Sequence, residues 1–172
     1  MRWLEMAKIE RKYMAHYIDA ALPGASEGPV YVRLGKDLEE YVAEMSAEVE
    51  KKHNILGETS VLVTSYEKNG AVEPYYAEQG DPLFERLQDI TDNMRVLDEC
   101  ASTLVDVHLW EKETEGAFPA VRWDVVIEAA STGGDNTGYQ IPFNLHYTGG
   151  RAKGTFDPKT RTFTPEGSAP TV

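Results

Sequence analysis

Four histidines, one cysteine and several grouped carboxylates are the residues of this chain whose types could carry chemistry. His16, His53, His108 and His146 are widely scattered, and none pairs with Cys100 at the spacing of a metal-ligand set. Cys100 follows Asp98 and Glu99, and two adjacent negative charges disfavour the thiolate that a nucleophile needs. Glu39, Glu40 and Glu44 could supply the carboxylate pair of a glycosidase, but nothing else marks a cleft, so they read as a solvated acidic face. The stretch from Ser131 to Gly138, STGGDNTG, has the glycines of a phosphate cradle. It lacks the Lys-Ser/Thr ending of a P-loop, and no helix follows to offer its N-terminus. Tyr75, Tyr76, Trp110, Trp123 and Tyr139 could line a sugar-binding face, although alternating aromatics in strands are ordinary packing residues. No catalytic constellation, metal site or cofactor site emerges.

The elements that would position these residues are mostly strands around one helix. Asp81 is a good N-cap and Pro82 suits the first helical position, so a helix is expected over about 81–94. Leu83, Phe84, Leu87, Ile90 and Met94 form its expected core face, with Arg86, Gln88, Asp89 and Asp92 largely on the other side. Strands are expected at Lys12–Ala20, Val30–Leu34, Thr59–Tyr66, Ala71–Ala77, Thr103–Glu111, Val121–Ala130 and Tyr139–Tyr147, and near Arg151–Phe156 and Thr162–Thr164. Asn69-Gly70 predicts a tight hairpin turn, and Thr148-Gly149-Gly150 another turn. The segment from Leu38 to Lys52 has two readings. Leu38, Tyr41, Val42, Met45 and Val49 recur at helical spacing, whereas alternation is poor.

Length and charge narrow the function. A chain of 172 residues with 41% apolar residues suits one domain with a sizeable core. No apolar run is long enough to span a bilayer, and the charges that follow Trp3 and Leu4 argue against a signal peptide. A single cysteine cannot form an internal disulfide, which suits assembly in cytoplasm. A net charge of −12 argues against binding DNA through its phosphates, which needs clustered Lys and Arg. The charge is also segregated. Asp37, Glu39, Glu40, Glu44, Glu48 and Glu50 precede Lys51 and Lys52 without an intervening base, while Arg151, Lys153, Lys159 and Arg161 face only Asp157 between residues 149 and 163.

Six segments, in order, carry a resemblance: KYMAHYID (12–19), YVRLGKDLEEY (31–41), NILGET (54–59), VEPYYA with GDPLFE (72–85), IPFNLHY (141–147) and KGTFD (153–157). Together they resemble the major tail protein, or tail tube protein, of long-tailed phages and prophages of Gram-positive bacteria. The resemblance implies a mainly β (α+β) fold, an antiparallel β-sandwich or rolled barrel with one flanking helix. Residues 8–164 would be the tail-tube domain, 1–7 an extension with Met6 as an alternative start, and 165–172 a flexible tail. It implies a strand from Leu38 to Met45 and then a long loop to Gly57, contrary to the periodicity. It further implies hexameric rings stacked into the conduit for DNA ejection, with no enzyme activity and no cofactor. Partners would be other copies, tape-measure, terminator and distal-tail proteins, and duplex DNA passing without specific binding. No membrane is involved, and the protein would reside in the virion tail after assembly in the host cytoplasm. Glu39, Glu40 and Glu44 are then the expected lumen-facing acids. Glu48, Glu50, Lys51, Lys52, Arg151 and Lys153 are expected between subunits or rings. The alternatives are a tube protein of a contractile tail, bacteriocin or secretion system, and, in another class, a monomeric β-sandwich that binds a carbohydrate or small ligand.

Overall fold

Alternation of apolar and polar residues dictates most of this molecule, and it folds as a curled antiparallel sheet with one helix laid against it. The computed structural model describes residues 6–167. Residues 1–5 of the expected extension and the end of the expected tail, 168–172, lie outside the described residues. The main sheet contains β1 (Met14–Asp19), β2 (Tyr31–Leu34), β3 (Ala43–Glu44), β6 (Asn69–Val72), β7 (Ala101–His108), β8 (Phe118–Ala129) and β11 (Phe143–Asp157). Their spatial order is β2-β1-β7-β8-β11-β6-β3, with β12 (Thr162–Pro165) paired to the far end of β11. Two small pairs stand apart: β4 (Ala47–His53) with β5 (Thr59–Tyr66), and β9 (Gly133–Asp135) with β10 (Gly138–Gln140). The open sheet curls into a half-barrel and ends on short edges, β2 and β3.

The curl gives the sheet two apolar cores. One lies beneath the helix and gathers Ile18, Leu104, Val125, Ile127, Phe143 and Leu145. The other lies between β1, β2 and the far half of β11, where Phe156 stacks on Tyr17 and meets Tyr31 edge-on. Central strands β1 and β7 serve both, so His16 and Ile18 face one core while Ala15 and Tyr17 face the other.

The helix α1 spans Pro82–Asn93. The Asp81 carboxylate accepts the Leu83 N–H at 3.0 Å and the Tyr75 hydroxyl at 2.5 Å, which ties the cap to the segment that follows β6. Leu83, Leu87 and Ile90 are buried, and Phe84 packs against the core from a half-buried position. Met94 does not belong to this face. It takes the left-handed conformation that ends the helix, φ 48°, which swings its side chain off the stripe and leaves it 82% exposed. Arg86 also departs from expectation, because it is buried. Its guanidinium donates to the carbonyls of Ala21, Glu99 and Ala101, so the charge is spent on backbone acceptors that would otherwise be orphaned.

Four sequence expectations are corrected. The region after Leu38 holds neither a helix nor a strand to Met45: only Ala43 and Glu44 join the sheet, and Ser46, with φ 40°, breaks the path. The expected loop to Gly57 is instead strand β4, paired along its length with β5. Asn69-Gly70 is no hairpin turn, since both residues lie inside β6 and pair with His146 and Leu145. Gly70 is needed for space, because a Cβ there would stand 2.6 Å from the Tyr41 hydroxyl oxygen. Thr148-Gly149-Gly150 is no turn either. It is a bulge within the long β11, where the register against β8 shifts and Gly149 takes φ 100°.

Candidate assembly surface

The most unusual feature is the β4–β5 arm. Asn54 organises its tip: the side-chain oxygen accepts the N–H groups of Leu56 and Glu58, both at 2.9 Å, and the amide donates to Glu58. The arm's hydrogen bonds stay within it, and all its residues from 47 to 66 are exposed. Val49, Ile55, Leu56, Val61, Leu62, Val63 and Tyr66 therefore lie in solvent, with Ile55 bare at the tip. An isolated two-stranded hairpin is marginal in water, and this much uncovered apolar side chain marks an interaction surface.

Glu48, Glu50, Lys51 and Lys52 all sit on β4 of this arm. Lys52 approaches Glu50 at 3.7 Å. Arg151 and Lys153 are exposed on β11, with the Arg151 guanidinium 6.0 Å from the Trp123 ring centre. Among the described residues no ion pair joins segment 37–50 to segment 149–163.

The three candidate lumen acids are exposed, but they are not together. Glu40 and Glu44 line a shallow groove of about 550 Å³ with Glu73, Asn69, Asn144 and His146. Next to it on the same face Glu128 accepts from His146 at 2.7 Å, and this bond holds the Glu128 carboxyl below its ordinary value. Glu39 instead lies beside Arg11, Lys12 and Arg33 in a second groove. A stretch of acidic sheet face thus exists at the β3 edge, built from Glu40, Glu44, Glu73 and Glu128.

A buried polar cluster escaped the sequence reading. His16 Nδ1 meets Asp106 Oδ1 at 2.6 Å, and its Nε2 meets the Arg11 guanidinium at 2.8 Å. A guanidinium only donates, so Nε2 is the acceptor and Nδ1–H donates to Asp106. With its outer nitrogen occupied by Arg11, His16 is not placed to act as a general base. Lys68 stands 4.0 Å from Asp106 and over the rings of Trp123 and Tyr147, where burial lowers its pKa against the pull of Asp106. Tyr41 and Tyr147 share a hydroxyl hydrogen bond at 2.8 Å; burial pushes Tyr41 up to about 12 and raises Tyr147 as well, so both stay neutral. The cluster fastens the Tyr41 segment, and through it the β3 edge, to the sheet. The available signal was polar His16 and Asp106 at inward positions of otherwise apolar strands.

The remaining candidates do not converge. His108 pairs with Glu111 and stacks on Trp110, His53 meets Thr59, and the Cys100 thiol donates to the Arg95 carbonyl, its pKa raised by burial. Among the described residues no group of three or more His, Cys, Asp or Glu could hold a metal ion. The glycine-rich stretch forms the β9–β10 hairpin, whose turn is closed by Asp135 accepting from Thr137, and a carboxylate there repels a phosphate. Tyr75 and Trp123 pack against Phe143 and Tyr147, while Tyr139 bonds Gln88 on the helix, so the five aromatics form no common face. No described helix is long and apolar enough to cross a membrane.

No family model matches the chain, and no curated protein matches it. Among solved structures, it resembles the tail tube of phage SPP1, with a TM-score of 0.56 and 16% identity. The match covers 85% of this chain and 78% of that one, which shows that the two share a fold.

Proposed function

We propose that this chain is the tube protein of a long-tailed phage, a structural virion component that self-assembles into hexameric rings stacked as the conduit for DNA ejection. The observation that carries the reading is the exposed arm of residues 47–66, a marginal hairpin with seven uncovered large apolar side chains on a tail-tube fold. Such an arm gains stability only by lying on another molecule, and a repeated copy of the same chain is always at hand during assembly.

The two sheet edges supply the ring contact in this reading. β2 and β3 are short strands with unpaired backbone groups, and pairing one copy's β2 with the next copy's β3 extends the half-barrel into a closed wall without exposed edges. The arms join successive rings, bringing Glu48, Glu50, Lys51 and Lys52 to a neighbour on which Arg151 and Lys153 are exposed. In this reading the acidic face around Glu40 and Glu44 lines the channel, while Glu39 lies in a separate groove beside Arg11, Lys12 and Arg33. Duplex DNA carries about one negative charge per ~1.7 Å, so an acidic wall repels its phosphates and leaves the passage unobstructed. Tape-measure, terminator and distal-tail proteins would complete the tail, assembled in the host cytoplasm.

Negative-stain microscopy of the concentrated protein tests this reading. Uniform hollow tubes with a regular axial repeat are expected. A monomer at every concentration, with or without an initiating tail complex, would overturn it and favour a monomeric ligand-binding module.

A further inference from the structure

The open side of β2 is not bare. The Ala20 N–H donates to the Val30 carbonyl at 2.8 Å, and Ile18 and His16 stand opposite Val32 and Leu34. Antiparallel bonding alternates, so Val30, Val32 and Leu34 bond to β1, while Tyr31 and Arg33 turn their backbone groups outward from the sheet. On the outward Tyr31 carbonyl sits the Arg161 guanidinium, whose Nη1 donates to it at 3.2 Å. Tyr31 is fixed in place, because its ring is buried and meets Phe156 edge-on.

Arg161 reaches that carbonyl from the turn between β11 and β12, and the same hairpin supplies Phe156. The turn is closed by Asp157, whose carboxylate accepts the Lys159 N–H and whose carbonyl accepts the Arg161 N–H. Arg161 holds φ 55°, a left-handed conformation that strains most side chains and that glycine or asparagine adopts more readily. An arginine at such a position calls for a reason in its side chain. No ion pair supplies one, since Arg161 forms none among the described residues. Within the described residues its guanidinium has a single hydrogen-bond partner, the Tyr31 carbonyl.

We propose that Arg161 guards the β2 edge of the lone subunit, holding the Tyr31 carbonyl until a strand of a second copy displaces it. This rests on the reading of β2 as a ring contact and adds the device that regulates it. A strand added to β2 would run about 4.8 Å away and place its own N–H on the outward Tyr31 carbonyl. With a guanidinium already on that oxygen, the incoming strand must expel it before the ladder forms. Charged side chains over edge strands are a general means of preventing indiscriminate edge-to-edge pairing. Arg161 lies at the surface, so once expelled its guanidinium is solvated. The guard therefore slows joining and leaves the rate of dissociation unchanged.

Growth kinetics of the full chain test the guard. Arg161→Gly removes the guanidinium and suits the positive φ, so the fold survives, as melting curves check; Arg161→Ala repeats the test with a side chain retained. Lys159→Ala, in the same turn but with no bond to Tyr31, controls for charge. Each variant removes one positive charge from a chain of net charge −12, which by repulsion alone slows association. On tube seeds, both Arg161 variants should add subunits about tenfold faster than wild type, the weight of one charge-assisted hydrogen bond, with dissociation on dilution unchanged. Lys159→Ala should grow no faster than wild type. In the monomer, the Tyr31 carbonyl carbon resonance should shift when Arg161 is replaced. An unshifted resonance, or Arg161 variants that grow no faster or dissociate faster, would overturn the guard and leave the tube reading intact. If Lys159→Ala speeds growth equally, the effect is one of charge and the guard is again overturned. Failure of wild type and variants alike to assemble, with or without an initiating tail complex, would overturn both.

Discussion

Excising the arm separates folding from assembly more sharply than any point substitution. Ser46 and Glu67 lie at its base, where the Glu67 N–H reaches the Ser46 carbonyl at 3.3 Å, so residues 47–66 can be replaced by a short Asn-Gly-type loop without moving the sheet. All the removed residues are exposed, so the monomer loses little core, while shortening a twenty-residue loop about fivefold favours folding by roughly 1.4 kcal/mol. For a domain of this size that is a melting-temperature change within ~5 °C. Assembly behaves differently. Seven large apolar side chains leave the water if the arm lies on another subunit, and half-burying each contributes ~1 kcal/mol, about 7 kcal/mol per subunit. At ~1.4 kcal/mol per decade this is ~10⁵ in association, and at least ~10³ after ordering costs. Thermal melts and light scattering with microscopy read the two effects. A melting temperature lowered by more than ~10 °C, or tubes that still grow at the wild-type concentration, would refute the reasoning.

Other consequences are quickly checked. Leu87→Ala, at a fully buried position, should cost ~2–5 kcal/mol by denaturant melt, whereas Met94→Ala should cost under ~0.5 kcal/mol; similar values for both would misplace the helix face. Reversing Glu39, Glu40 and Glu44 to Lys should leave tubes intact but slow or arrest DNA ejection, and normal ejection would move these residues to the outer wall. If Arg151 or Lys153 meets Glu48 or Glu50 across subunits, growth slows as salt shortens the Debye length from ~10 Å at 0.1 M to ~3 Å at 1 M, and Lys153→Glu with Glu50→Lys recovers part of what each change removes; salt-independent growth without rescue leaves apolar contact as the driver. Glu128 is held below its ordinary 4.5 by His146, so its contribution is present above that pH and lost as pH falls through the lowered folded value; because the pair is exposed, Glu128→Gln should flatten the acid limb of a stability–pH curve by under ~1 kcal/mol.

What the sequence made legible follows from how local each signal was. The helix was readable because cap, first-turn proline and apolar stripe all act within one element, and the central strands because two-faced burial forces alternation. The arm was hidden for the opposite reason. Its second strand, Thr59–Tyr66, was expected, but β4 has both faces in solvent and no buried side to impose a period, so Val49 fell into a helical spacing with Leu38, Tyr41, Val42 and Met45, which precede the arm. Asn69-Gly70 and Gly149-Gly150 looked like turns because their glycines serve long-range needs: clearance for Tyr41 in one case, and in the other a bulge whose Gly150 lies against Asp124. Arg86 sat on the polar side of the helix by type, and only the carbonyls gathered around it explain its burial. The acidic face was visible as composition, but its division, with Glu39 set apart from Glu40 and Glu44, depends on how the chain turns after Leu38.

If the chain assembles into a tube as proposed, the marginal arm has a kinetic consequence. A lone subunit holds a hairpin whose ladder is barely sustained, so the first encounter between two subunits must order about twenty residues before any contact rewards it. Later subunits meet a rim of several receiving sites already in place, and each incoming arm is ordered on a finished template. Spontaneous starts are then rare and extension is fast, which gives a lag phase that a preformed end abolishes. A chain built this way can accumulate to high concentration without committing itself, and its polymer begins where another structure provides the first ring.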